Sequence, residues 1–528
     1  MPATAPRGGP APASPWPVLA ICSAGLFLAV LSTTMVSVAL PAIGAQLDAG
    51  PAGLEWVVDA YVLTYAALLI AGGVAGDRRG RTGIFQAGLA LFGAGSLAAA
   101  LAPGTGLLIA ARIVQGTGPA LLIPASLAIV RAVFTSPRQR AVAYGLWSTA
   151  SGVAMAAGPA LGGLLAAGPG WRWVFAVNVP LAALVLAAAW RVPRLPRSGG
   201  GPFDWAGALT SVAGLGLLAF GVIEGQARGW AAAEVIAALA AGAALLAGFA
   251  VAELRLARAG AGPAEPGTGR AAGRPANGTA RRRPEPFVDV GLFARPPFAL
   301  AAVAALTVFF SFVGAIVYFS AYFQQAQGRS PVAAGLAVGV LGVAYAVVAA
   351  GSGRIVGWLG ERAALAAGLV LSGLAMAALC RLGPGTPLTA IWWNFALLGG
   401  GIGLCGTPMT TLAMSGAGAG RAGMAAAVLN ACRQLGQVFG VAVLGALVYA
   451  ALPPGAAAGP LDAAQRLAFT AGLHHALLAA AAALLGTAAL AGGQAAAGLR
   501  RRGLRPQTGP AAPPPGWSPA AAARGSRR

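Results

Sequence analysis

The chain has 528 residues, 58% of them hydrophobic and only 9% charged, with a mean hydropathy of +0.75. A water-soluble globule cannot hide that much apolar surface, because its outside must still face water. The net charge of +22 comes from arginines scattered among Pro and Gly, with no lysine anywhere; without a folded scaffold or stacking aromatics this pattern argues against nucleic-acid binding, and a phosphate-binding GxxxxGK[ST] loop is excluded outright.

Apolar runs of about 20 residues match a hydrocarbon core of roughly 30 Å at 1.5 Å per residue. They predict fourteen spans, at 17–41, 53–75, 83–102, 106–130, 140–166, 172–190, 204–224, 231–252, 297–322, 331–357, 361–380, 388–413, 422–450 and 467–495. Each must be a helix, since lipid offers backbone groups no partners. The first run follows a Pro/Ala-rich stretch with one basic residue, Arg7, and exceeds a signal-peptide core, so it reads as a retained span.

Arginine placement orients these helices. The loops at 76–82, 131–140, 191–203 and 253–296 and the tail after Arg500 are arginine-rich, whereas the alternate loops hold none or one. Both termini are therefore expected in the cytoplasm, with the basic loops attracted to anionic lipid headgroups.

The expected organisation is a disordered cytoplasmic N-terminus at 1–16, a six-helix bundle at 17–190 and two additional helices at 191–252. A disordered basic cytoplasmic loop at 253–296, a second six-helix bundle at 297–495 and a disordered basic tail at 496–528 follow. The glycine–acid turn at 73–82 has an echo at Gly353-Arg354 and Gly360-Glu361-Arg362, as in transporters built by internal duplication.

Within the spans, Cys22, Cys380, Cys405 and Cys432 read as small packing residues. Asn277-Gly278-Thr279 spells a glycosylation sequon but falls in a loop expected to be cytoplasmic. Gly401-x-Gly403-x-x-Gly406 spells a dinucleotide fingerprint, yet it lies inside an apolar run with no strand before it. No Cys/His cluster has metal spacing, and no cofactor is expected. His474 and His475 can titrate, but nothing ties them to a cavity. Trp147, Phe310, Tyr318, Tyr322 and Trp393 serve equally as cavity lining or as packing.

Three features carry chemistry. The segment GVAGDRRGRT at 73–82 places Asp77, Arg78 and Arg81 on a turn made by Gly73 and Gly80, either as a topology marker or as a latch between moving parts. Arg112 falls about a turn inside the membrane, so it should face the bundle interior and have a partner. Gly158-Pro159 and Gly162-Gly163 bend the fifth span and admit a close neighbour.

These motifs, in this order, resemble the major facilitator superfamily, specifically its fourteen-span drug:proton antiporter branch. GVAGDRRGRT fits that superfamily's G-x-x-x-D-R-x-G-R-[KR] signature, with Thr82 in place of the last basic residue. LIAARIVQGTG at 108–118 fits the span-4 signature through Arg112, Gln115, Gly116 and Gly118. Gly145, Gly158, Pro159, Gly162 and Gly163 fit the span-5 antiporter signature, with Ala154 replacing a middle glycine. WRWVFAVNVP at 171–180, FDWAG at 203–207, Gly229-Trp230, and Asn430 with RQLG at 433–436 and Gly440 resemble the branch's own markers.

The resemblance implies an all-α polytopic membrane protein of the major facilitator fold, two six-helix bundles plus two extra helices. It also implies a non-enzymatic secondary transporter in the cytoplasmic membrane that exports drugs or a natural product by proton antiport. Its partners are a small-molecule substrate, protons and lipids, with a monomer as the working unit. The chain departs from the branch at LSTTMVSVALP, 31–41, where Ser32 stands in place of the usual acid and Ser37 in place of the asparagine. Proton coupling is then expected on Asp59 of EWVVDAYVL, with Glu55 as a more exposed neighbour and Arg112 as a partner that changes with conformation. Gly73, Asp77, Arg78, Gly80 and Arg81 form the expected latch. Ser32, Gln115, Gln324, Asn430 and Arg433 are the expected substrate-cavity residues. A transporter-fold receptor and an uncoupled facilitative transporter are the alternatives.

Overall fold

The structure, a computed structural model, describes residues 14–195, 205–260, 290–417, 422–450, 452 and 461–503. The first half comprises α1 (Trp16–Leu47), α2 (Pro51–Arg79), α3 (Arg81–Ala100), α4 (Thr105–Val133), α5 (Pro137–Ala167), α6 (Arg172–Ala176) and α7 (Asn178–Ala189). Then come α8 (Trp205–Arg228) and α9 (Ala233–Gly260). The second half comprises α10 (Pro296–Ala321), α11 (Pro331–Leu359), α12 (Glu361–Ala378), α13 (Trp392–Ala417), α14 (Ala422–Tyr449) and α15 (Ala463–Gly503). The short α6 and α7 together make one span, so among the described residues fourteen helical segments are long and apolar enough to cross a membrane.

Sequence sets the ends of these helices. Prolines open α1, α2, α5, α10 and α11, where a missing N–H costs nothing. Prolines inside α1, α4, α5 and α13 (Pro41, Pro119, Pro124, Pro159 and Pro408) are tolerated because neighbouring helices support the backbone. The expected boundaries shift furthest at two helix ends. The helix α9 continues to Gly260, into the segment expected as loop, with Glu253 buried against the protein. The last helix continues to Gly503, into the segment expected as tail. The expected disorder at 1–13, 261–289 and 504–528 lies outside the described residues.

Each half is a bundle of six spans, and α8 and α9 form a hairpin packed against α2 and α14. The halves meet along two main seams, α5 with α11 and α2 with α14, with α1 touching α10 between them. At the α5–α11 seam a Cβ added at Gly163 would collide with the carbonyl of Pro331, and one added at Gly335 with that of Pro159. Only glycine lets two backbones run this close.

Candidate functional site

Call the face where α1 begins and α15 finishes the termini end, and the opposite face the far end. The seam between the halves is closed at the far end. The Tyr318 hydroxyl of α10 donates to the Val441 carbonyl of its own half at 2.6 Å and lies 3.3 Å across the seam from Glu55 of α2. Gln324, in a π-helical turn that extends α10, donates to the Val38 carbonyl of α1 at 3.0 Å. Toward the termini end the seam splays. Gly152 and Ala346 are in contact, but Gly145 and Gly353, two turns further along the same facing stripes, are exposed and look into open space.

The span-5 motif proves to serve two neighbours at once. Gly158 and Gly162 lie against Thr34 and Met35 of α1, whereas Pro159 and Gly163 lie against Gly335 and Pro331 of α11. Positions one residue apart on a helix diverge by about 100°, so one stripe binds its own half and the next binds the opposite half. Gly145 belongs to the open part.

At the turn between α2 and α3, Gly80 has φ of +104°, a backbone conformation that favours glycine. Gly73 packs on Pro124. Arg78 and Arg81 each have an interaction partner, while the side chain of Asp77 lies outside the described residues. Thr82, the departure from the signature, donates to the Pro193 carbonyl at 2.7 Å and ties the turn to the segment after α7.

Arg112 is wholly buried. Its Nε donates to the Val57 carbonyl at 2.8 Å, its Nη1 to Gln115 Oε1 at 2.7 Å, and its guanidinium carbon lies 4.2 Å from the Tyr61 ring centroid. Gln115 in turn donates to Ser32 at 3.1 Å and Ser96 at 2.7 Å. The expected pairing of Arg112 with Asp59 is absent in this conformation: neither carboxyl oxygen of Asp59 has a hydrogen-bond partner. The reason is helical geometry. Asp59 shares a face of α2 with Glu55, toward Tyr318, whereas Val57 and Tyr61 present another face to Arg112. Glu55 also differs from expectation. It is 4% exposed, almost as enclosed as Asp59.

The five expected cavity residues separate into three places. Ser32 and Gln115 are sealed inside the first bundle at 0% exposure. Gln324 sits in the far-end seam. Asn430 and Arg433 alone share mid-membrane ground, with Asn430 donating to the Tyr65 hydroxyl of α2 at 3.1 Å. His474 bonds the Leu382 carbonyl at 2.8 Å, away from that region. Sequence reasoning missed Tyr65 and Tyr318 as seam residues. Tyr318 stood only among the aromatics, and no local signal distinguishes a seam hydroxyl from a packed one. The WRW marker gains a structural role, since Trp171 and Arg172 both donate to Gln46 at the end of α1, at 2.5 and 2.6 Å.

The comparisons agree with this architecture. The family model of the Major Facilitator Superfamily matches residues 22–441. The multidrug resistance protein Stp of Mycobacterium tuberculosis is 34% identical over 81% of this chain and 74% of its own. The methylenomycin A resistance protein of Streptomyces coelicolor is 31% identical over 80% and 84%, and the tetracenomycin C resistance and export protein of Streptomyces glaucescens 31% over 82% and 76%. Among solved structures, a bacterial homologue of the human lysosomal transporter Spinster, inward-facing and unoccupied, superposes with a TM-score of 0.60 at 17% identity, covering 93% of this chain and 99% of its own. With fourteen candidate spans in two packed bundles and a family match over most of its length, this chain belongs to the Major Facilitator Superfamily.

Proposed function

We propose that this protein is a secondary exporter of drug-like or antibiotic molecules, driven by proton influx through alternating access, with both termini in the cytoplasm. The relatives' names, multidrug resistance and antibiotic resistance and export, support the substrate class. The arginine-rich loops support the orientation, under which the splayed termini end is the cytoplasmic mouth.

The observation that carries the coupling is Asp59, a fully enclosed carboxyl with both oxygens unbonded, one helical turn from Glu55 and the far-end seam. A charge left there without a partner costs several kcal/mol, so the group crosses the hydrocarbon as a neutral acid and ionises where water reaches it. Glu55, Tyr318, Gln325 and Tyr449 line a cavity of about 20 Å³ at the seam, room for one water that would relay protons from outside. Asp77 with Arg78 and Arg81 acts as the latch that stabilises one closed state, and Arg112 holds the first bundle's polar core.

Efflux from proteoliposomes under an imposed proton gradient tests this reading. Asp59→Asn is expected to abolish gradient-driven efflux while substrate exchange between equal compartments persists. Undiminished driven efflux by Asp59→Asn would rule it out as the carrier. Uncoupled facilitated transport is the second reading, favoured by the hydroxyl of Ser32 at the usual acid position; it expects wild-type flux to ignore the gradient.

A further inference from the structure

Among the described residues, the second half carries one cation at mid-membrane, Arg433, with no acid bonded to it. Arg433 of α14 donates from Nη2 to Thr410 of α13 at 3.1 Å and lies 5.7 Å from the Phe309 ring centroid of α10. Tyr345 of α11 and Tyr65 of α2 are within electrostatic range, and Tyr345 is paired with the Phe312 ring at 5.5 Å. Five helices from both halves thus converge on one guanidinium, near the level where the α5–α11 seam begins to open. Its Nε is buried without a hydrogen-bond partner, yet the side chain as a whole is only half-buried. The head is therefore wrapped by protein on one flank and open on another.

Charge around it is one-sided. Between residues 297 and 495 the acids are Glu361 and Asp462, both at helix starts rather than within a span. In the first half, Asp59 lies six residues from Tyr65, about 9 Å along α2 toward the closed end. Ser32 adds no charge, and Arg112 is sealed inside the first bundle, bonded to the Val57 carbonyl and Gln115 with Nη2 unbonded. A cation kept inside a membrane without a carboxylate is costly, and Arg433, unlike the enclosed Arg112, has an open flank where water or an anion can reach it.

We propose that Arg433 reads the charge of the transported molecule, and that the mid-membrane site takes an aromatic organic anion bearing a carboxylate or an ionised phenol. The anionic oxygen sits on the free edge of the guanidinium, where charge-assisted hydrogen bonds are strongest. The ring lies against Phe309 and Tyr345, and Asn430 with Tyr65 supplies further hydrogen bonds. A cationic drug would meet like charge at the same place. This deepens the export reading and rests on it for the direction of transport, but not for binding.

The test is equilibrium binding to the full-length protein in detergent, read by fluorescence anisotropy with two probes that share a xanthene ring system. Fluorescein is anionic at mildly alkaline pH, and tetramethylrhodamine ethyl ester is cationic. The wild-type protein is expected to bind fluorescein more tightly. Arg433→Gln should weaken fluorescein by about ten- to a hundredfold, the range of charge-assisted bonds, without weakening the rhodamine. Arg433→Lys should recover part of the loss, since a point charge replaces a planar fork. Tighter rhodamine binding by the wild type overturns the proposal whatever the variants do. So does equal loss of both probes in an Arg433→Gln protein that melts normally, which would mark a structural arginine. Because the assay needs no gradient, its failure is separate from failure of proton-driven export.

Discussion

Arg112, seven residues from the far-end start of α4, and Arg433, eleven residues into α14 from the termini end, meet different fates. Arg112 donates to the Val57 carbonyl and Gln115 and stacks on Tyr61, with Nη2 buried and unbonded, so the bundle encloses its charge on all sides. Arg433 has one bonded side-chain partner, the Thr410 hydroxyl, and keeps a bare Nε. The Arg112 network also redefines Ser32, which accepts from Gln115 inside the first bundle rather than lining an open site. Ser32→Ala should therefore lower stability by about 1 kcal/mol, the net value of one neutral hydrogen bond, with Gln115 still held by Ser96. Substrate preference should not change. Thermal unfolding in detergent with parallel efflux profiles checks both, and an altered drug profile at unchanged stability would return Ser32 to the cavity.

At the scale of the helix, the α5–α11 pair is the tightest contact between the two halves. Its far-end contact requires glycine at 163 and 335, where any side chain would strike the opposing backbone. Gly335→Val should prise the far end apart and shift the population toward a state open there, because packed interfaces switch between discrete arrangements rather than deform. Spin labels at positions 145 and 353, which face open space, should then show a shorter separation as the termini end closes, together with a reduced efflux rate. An unchanged distance distribution in a properly inserted Gly335→Val protein would remove this pair from the gating mechanism. The hairpin of α8 and α9 adds a fixed element beside the α2–α14 seam. Trp56 of α2 donates to Glu224 at 3.1 Å, and Arg228 bridges Glu224 and Glu234 across the hairpin's end at 2.7 and 2.9 Å. Those exposed ion pairs fix geometry more than they stabilise.

For the whole molecule, the proposed proton exchange makes the sign of the substrate decide which force drives transport. Exchange of one proton inward for one monoanion outward moves two charges, each worth roughly 2.3 kcal/mol per 100 mV. Exchange of a proton for a monovalent cation moves none. With an anion as substrate, an inside-negative potassium diffusion potential should therefore accelerate fluorescein efflux from proteoliposomes even without a pH gradient. Efflux that responds to the pH gradient but ignores the potential would mean an electroneutral cycle and a different substrate charge.

The fourteen spans, the two bundles and the family were legible in the residues alone, because run length and hydrophobicity are local and lipid permits few folds. The departures at Ser32 and Thr82 were legible too, as differences from a motif. Neighbours across the bundle were not. Asn430 meets Tyr65 across 365 positions of chain and Gln324 meets Val38 across 286, and no local pattern encodes such distances. The turn of α2 that sends Asp59 toward the Tyr318 seam and leaves Arg112 to the Val57 and Tyr61 side is likewise a matter of helix rotation within the bundle. Sequence determined that this chain crosses the membrane fourteen times and which residues carry charge there. Tertiary structure decided which charges are satisfied and which are left waiting, because satisfaction depends on what another helix presents at the same depth.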